Sequence, residues 1–160
     1  MLAASNDNKK LKINFHEVKY GWIEFTLTLG EKSFQTRFSE VFDPIPDLKK
    51  WLEAISIGVQ QCSFFFDAEG PEIRFNLERI SYDREIFTVS QAYDDSEIFL
   101  SDCVDRYQLV EEFYIGLLSF RDSPSFDKRE WEVEYALGAV MVSISDGFRV
   151  EAEPQPVVLR

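Results

Sequence analysis

Residues 11–38 alternate apolar and polar side chains in three successive runs separated by short turns, a pattern that an antiparallel strand meander satisfies. Leu11, Ile13 and Phe15 alternate with Lys12, Asn14 and His16, and Tyr20-Gly21 marks a turn or bulge. Ile23, Phe25, Leu27 and Leu29 then alternate with Glu24, Thr26 and Thr28, and Gly30-Glu31 turns the chain into a third run from Phe34 to Phe38. Successive side chains of a strand point to opposite faces, so each run presents one apolar face. Connections this short join antiparallel neighbours and leave no room for parallel crossovers.

The period then changes. Asp43-Pro44-Ile45-Pro46-Asp47 has the composition of a helix start, since prolines suit the first turn and carboxylates suit its positive end. Leu48, Trp51, Leu52 and Ile55 follow at i, i+3, i+4 and i+7, and Gly58 stops the run. Further strands are expected around Cys62, Phe64 and Phe66, around Ile73, Phe75 and Leu77, from Glu85 to Ala92 and from Glu97 to Ser101. Asp105 and Gln108 have capping-box spacing. Behind them Tyr107, Val110, Phe113, Tyr114, Leu117 and Leu118 read as an apolar helical stripe. Residues 127–144 fit either a strand (Trp131, Val133, Tyr135, Leu137) or a helix, and capping by Asp127 and Glu130 tips the reading to helix.

Fifteen Phe, six Tyr and three Trp in 160 residues supply large side chains suited to pleated, half-buried surfaces. The expectation is a single α+β domain over residues 1–160, with residues 1–9 as a flexible, polar lead-in. Its core is a largely antiparallel sheet of about seven strands (meander, helix, further strands) packed by two or three helices.

Three motifs resemble those of small, uncharacterised bacterial α+β proteins of an immunity-protein-like kind. They are Tyr20-Gly21-Trp22-Ile23-Glu24-Phe25, Phe42-Asp43-Pro44-Ile45-Pro46-Asp47-Leu48 and Phe66-Asp67-Ala68-Glu69-Gly70-Pro71. The resemblance runs over about residues 11–120. The third motif departs from the usual Glu-Pro-Gly order. By analogy of size and architecture it implies a protein that binds and inhibits a partner toxin.

Charge bears on partners. Residues 1–60 carry eight Lys/Arg against eight Asp/Glu, and residues 61–160 carry nine against twenty-one, which is the whole net charge of −12. Such a segment repels nucleic-acid backbones and anionic membranes and attracts basic surfaces. Lys9, Lys10 and Lys12 make a small basic start, but the aromatics are not interleaved with Arg or Lys as a nucleic-acid stacking platform requires.

The first ten residues lack the apolar stretch of a signal peptide, and no apolar run approaches the ~18 residues of a membrane span. Cys62 and Cys103 are too few for a disulfide framework and have no metal-site spacing, so buried thiols in a reducing, cytoplasmic compartment are expected.

Little in the chain points to catalysis. His16, the one histidine, lies opposite the apolar face of its strand, and no cluster of His and Cys offers a zinc or iron ligand set. No Gly-x-Ser-x-Gly turn or phosphate-cradling glycine loop is present. Carboxylates are abundant in Asp94-Asp95-x-Glu97, Asp102-x-x-Asp105, Glu111-Glu112 and Glu132-x-Glu134, and these read as solvated faces.

The leading expectation is a non-catalytic acidic binding protein without cofactor or metal. It docks a basic protein through Asp94, Asp95, Glu97, Asp105, Glu111 and Glu112, with immunity to a basic nuclease-type toxin as the most concrete form. The alternatives are a carboxylate-based hydrolase or metal-dependent enzyme, and a structural protein that self-associates through aromatics such as Trp22 or Trp131.

Overall fold

A computed structural model describes residues 8–93 and 97–124. In chain order the elements are β1 (Leu11–Lys19), β2 (Trp22–Leu29), β3 (Lys32–Ser39), α1 (Ile45–Ser56), β4 (Gln61–Asp67), β5 (Glu72–Ser81), β6 (Arg84–Gln91), β7 (Ile98–Cys103) and α2 (Arg106–Arg121). The fold is α+β. The expected helix over residues 127–144 and Trp131 lie outside the described residues.

The expected seven antiparallel strands and two helices are present, and the strands divide into two sheets, β1-β2-β3 and β4-β5-β6-β7. The break falls where α1 intervenes. It carries the chain from β3 to a new sheet, so that β3 and β4 meet through the rings of Phe38 and Phe66, 4.8 Å apart, and not through a ladder.

The first hairpin turns on Tyr20 and Gly21, both with positive φ (54° and 80°), the backbone pattern of a type I′ turn. A β-carbon at Gly21 would come within 2.9 Å of Glu40 Oε2, so close approach as well as conformation holds glycine there. α1 begins as its sequence suggests. Asp43 Oδ1 accepts the Ile45 N–H at 2.9 Å, Pro46 occupies the first turn, and Gly58 (φ 93°) ends the run.

Each sheet turns its apolar face inward, and the two faces meet at Phe25 and Phe75, 5.9 Å apart. α2 lies on β1. A β-carbon on Gly116 would sit 3.2 Å from the Phe15 ring and 3.3 Å from Ile13, so the missing side chain permits the helix to approach. α1 packs on β4 through Trp51, whose ring lies within 6.1 Å of those of Phe64, Phe75, Phe87 and Phe113. The expected stripe of Leu48, Trp51, Leu52 and Ile55 is buried.

The stripe on α2 is rotated from its expected position. Arg106, Leu109, Val110, Phe113, Gly116, Leu117 and Phe120 are buried, while Tyr107, Tyr114 and Leu118 are half-buried. The helix contacts both β1 and α1, so its buried arc is too wide for a single apolar stripe to define. Asp105 caps it, accepting the Gln108 N–H at 2.9 Å.

Lys9, assigned from sequence to a flexible lead-in, is held by its backbone N–H, which donates to Cys103 O at 3.0 Å. His16 is exposed, and its Nε2 lies 2.8 Å from Thr26 Oγ1. Trp22 is half-buried. Among the described residues no helix is long and apolar enough to cross a membrane.

Candidate functional site

One charged centre is buried, and strand parity explains it. Glu85 has the same parity on β6 as Phe87 and Val89, so the pleat turns its carboxylate toward the core. Arg106, in the first turn of α2, lies on the buried arc with Leu109 and Val110, and only 4 % of its surface is exposed. Its Nε donates to Glu85 Oε1 at 2.7 Å and its Nη2 also bonds that oxygen. Nη1 donates to Ile55 O at 3.0 Å and Nη2 to Val59 O at 3.0 Å.

Ile55 and Val59 bracket the C-terminal end of α1, where carbonyls lack helical partners and a cation is favoured. One guanidinium therefore joins α1, β6 and α2. Arg79 Nε lies 3.4 Å from the same Glu85 oxygen. Beside this centre, Asn8, Tyr82, Asp83, Asp105 and Tyr107 complete a cavity of about 160 Å³. Four of the five N–H groups of Arg106 are engaged within the protein, so the centre is built to hold three elements together and not to receive an anion.

Cys62 is buried and Cys103 half-buried, so the expectation of two buried thiols holds for the first alone. Burial is the main cause that pushes the Cys62 thiol up to about 11, with Arg106 pulling it down and Glu85 pushing it up. Alkylation at pH 8, followed by mass spectrometry, should modify Cys103 at least about tenfold faster than Cys62, because the thiolate is the reactive form. Equal rates would contradict the packing of β4. The unfolded thiol ionises near 8.5, below the folded one. The Cys62 contribution is thus intact at neutral pH and is lost as pH rises toward 11.

A second feature lies at one end of the four-stranded sheet. The β4–β5 turn and the β6–β7 connection emerge there together: Asp67 and Glu72 are register partners, Ala92 N–H donates to Glu72 O at 2.9 Å, and Gln91 N–H donates to Glu97 O at 3.1 Å. Asp67, Glu69, Glu72 and Glu97 thus sit within the ~15 Å width of four strands.

Asp67 Oδ1 accepts the Glu69 N–H at 2.7 Å and the Gly70 N–H at 3.2 Å, which fixes the turn, and Glu69 itself has a positive φ of 59°. The Tyr93 hydroxyl donates to Glu72. That bond first, then the negative charge of Glu72, then desolvation and Asp67, holds the phenol above its ordinary range. Tyr93 (88 % exposed) and Ile98 (54 %) stand beside these carboxylates.

None of the four forms an ion pair with a described residue. Elsewhere Asp102 pairs with Lys32, Glu24 with Arg37, Asp47 with Lys50 and Glu53 with Lys49.

The six residues nominated from sequence are not gathered together. Asp94 and Asp95 lie outside the described residues. Glu97 is exposed just before β7, and Asp105 is exposed beyond the other end of that strand, eight residues on. Glu111 and Glu112 lie further on, in α2. Glu111 is exposed, but Glu112 is half-buried where a fully exposed position was expected. Partial burial first and the Glu111 charge second hold the Glu112 carboxyl above its ordinary range, against the opposing pull of Lys10 and Lys12.

Comparison of the chain with family models, curated proteins and solved structures returns no match. The description of the site therefore rests on its own geometry. Among the described residues no group of three His, Cys, Asp or Glu side chains is placed to hold a metal ion.

Two features escaped the sequence reading, and the first had a local signal. Glu85 shares parity with the apolar residues of its strand, and Arg106 precedes Leu109 and Val110 by three and four positions. Asp67, Glu69 and Glu72 were read as turn chemistry. Their proximity to Glu97 depends on the pairing of β5 with β6.

Proposed function

We propose that this chain is a non-catalytic binding protein that docks a basic protein partner through the acidic end of its four-stranded sheet. The observation that carries the reading is the set Asp67, Glu69, Glu72 and Glu97, four carboxylates without ion-pair partners among the described residues, beside the exposed Tyr93 and Ile98. Unpaired charge steers an oppositely charged partner and excludes like-charged ones, and an exposed aromatic supplies contact area once the partner has docked. Immunity to, or inhibition of, a basic toxin is the concrete form, and a cytoplasmic setting suits the two free thiols.

Neutralising the set (Asp67→Asn, Glu69→Gln, Glu72→Gln, Glu97→Gln) should leave the thermal transition nearly unchanged, because Glu69 and Glu97 are exposed and the amides at the half-buried positions 67 and 72 keep an acceptor oxygen for the turn N–H groups and the Tyr93 hydroxyl. It should slow association with the basic partner about 10- to 100-fold at low salt and flatten the dependence of that rate on ionic strength. Stopped-flow association at two salt concentrations measures both. An unchanged rate with unchanged salt dependence would remove this surface from the account.

A further inference from the structure

The two sheets have four edge strands, and three of them carry devices that discourage pairing with another chain. β1 has a register shift between Phe15 and Val18 and carries Lys12 and Lys19. β3 carries Lys32 and Arg37. β7 is six residues long, has a register shift beside its start, and is engaged at its end by Lys9. β4 has none of these. It pairs with β5 over all seven residues without a shift, and Gln61-Cys62-Ser63-Phe64-Phe65-Phe66-Asp67 contains no Lys, Arg or Pro.

Its backbone polarity is fixed. The bonds from Arg79 N to Gln60 O and from Ala68 N to Pro71 O bracket the ladder. Antiparallel pairs alternate, so Cys62, Phe64 and Phe66 exchange hydrogen bonds with β5 and the N–H and C=O groups of Ser63 and Phe65 point to the outer edge, where no strand of the described residues pairs with them. Phe65 is 45 % exposed. Beside the edge runs a groove of about 290 Å³ between β4 and α1, with Asp47 and Lys50 among its lining residues.

We propose that the β4 edge pairs with β4 of a second copy of this chain, antiparallel about a two-fold axis at Phe64. This register places Ser63 opposite Phe65 of the other copy and Gln61 opposite its Asp67, so all seven residues pair and no like charges face each other. Asp47 and Lys50 of the groove pair with each other, so the groove draws a foreign strand of neither sign, whereas the seven residues of β4 complement a copy of themselves. A one-strand interface is small and belongs to the weak, reversible class.

Sedimentation equilibrium of the full chain from about 1 µM to about 1 mM tests it, together with hydrogen exchange at both ends of that range. The expected result is a monomer–dimer equilibrium in which the Ser63 and Phe65 amides gain protection with concentration. Phe65→Lys and Ser63→Pro should be monomeric, with the circular dichroism of the parent. A monomer throughout, a dimer that survives both substitutions, or concentration-independent protection of the two amides, which would mean that another segment of the same chain covers the edge, would each overturn the proposal. The wild-type exchange data decide the matter even if a variant fails to fold.

Discussion

Replacing Arg106 with Met should destabilise the protein by about 3–5 kcal/mol in urea unfolding, the largest effect expected of any single charged residue here. The arginine is 4 % exposed and serves Glu85, Ile55 O and Val59 O at once. Its loss takes the arginine's N–H from Val59 O, leaves Glu85 with Arg79 alone at 3.4 Å and Ile55 O with the Gly58 N–H alone at 3.1 Å, and an under-satisfied buried group incurs a desolvation penalty. Attraction between the charges is the smaller part of the effect, and a second substitution separates the two. Adding Glu85→Leu to Arg106→Met removes the stranded carboxylate and should recover a large fraction of the loss. The arginine's bonds to Ile55 O and Val59 O stay lost, so recovery should be incomplete. A loss below about 1 kcal/mol for Arg106→Met would mean that water reaches the centre and that α1, β6 and α2 are not joined there.

Trp51→Ala should be about as damaging, at roughly 3–5 kcal/mol, from lost transfer energy and an unfilled cavity. Trp51 is 3 % exposed, its indole N–H donates to Cys62 O at 3.1 Å, and its ring stands among four phenylalanines from α2 and the four-stranded sheet. Trp51→Phe keeps most of the apolar volume and should lose much less, which separates packing from the effect of truncation. A loss under about 1 kcal/mol for the alanine variant would place α1 at the periphery of the core.

How much of this was legible in sequence depended on the range of the interaction. The strands of the meander, the start of α1 at Asp43-Pro44 and the Asp105 cap follow from neighbours within four residues, where alternation and capping chemistry act. The division into two sheets was not legible, because period-two alternation fixes which face a strand buries and not which strand it joins.

The partner of Arg106 was hidden for the same reason. Glu85 is twenty-one residues away and the carbonyls of α1 about fifty, brought close only by packing. The residues proposed for docking divide likewise. The sequence reading chose Asp105, Glu111 and Glu112 by their charge, and the structure sets them apart from Glu97. It also brings Asp67 and Glu72 toward Glu97 through the β5–β6 ladder, which local pattern does not reveal.

The central claim is that the acidic end of the four-stranded sheet is the surface that a basic partner meets. Titrating the labelled chain with a short lysine-rich peptide, and following backbone amides by NMR, tests that most directly. The amides of Asp67–Glu72 and Gln91–Phe99 should move first and furthest, with the shifts suppressed by about 0.5 M salt. Largest shifts at Asp105, Glu111 and Glu112, or shifts spread evenly over the molecule, would contradict it.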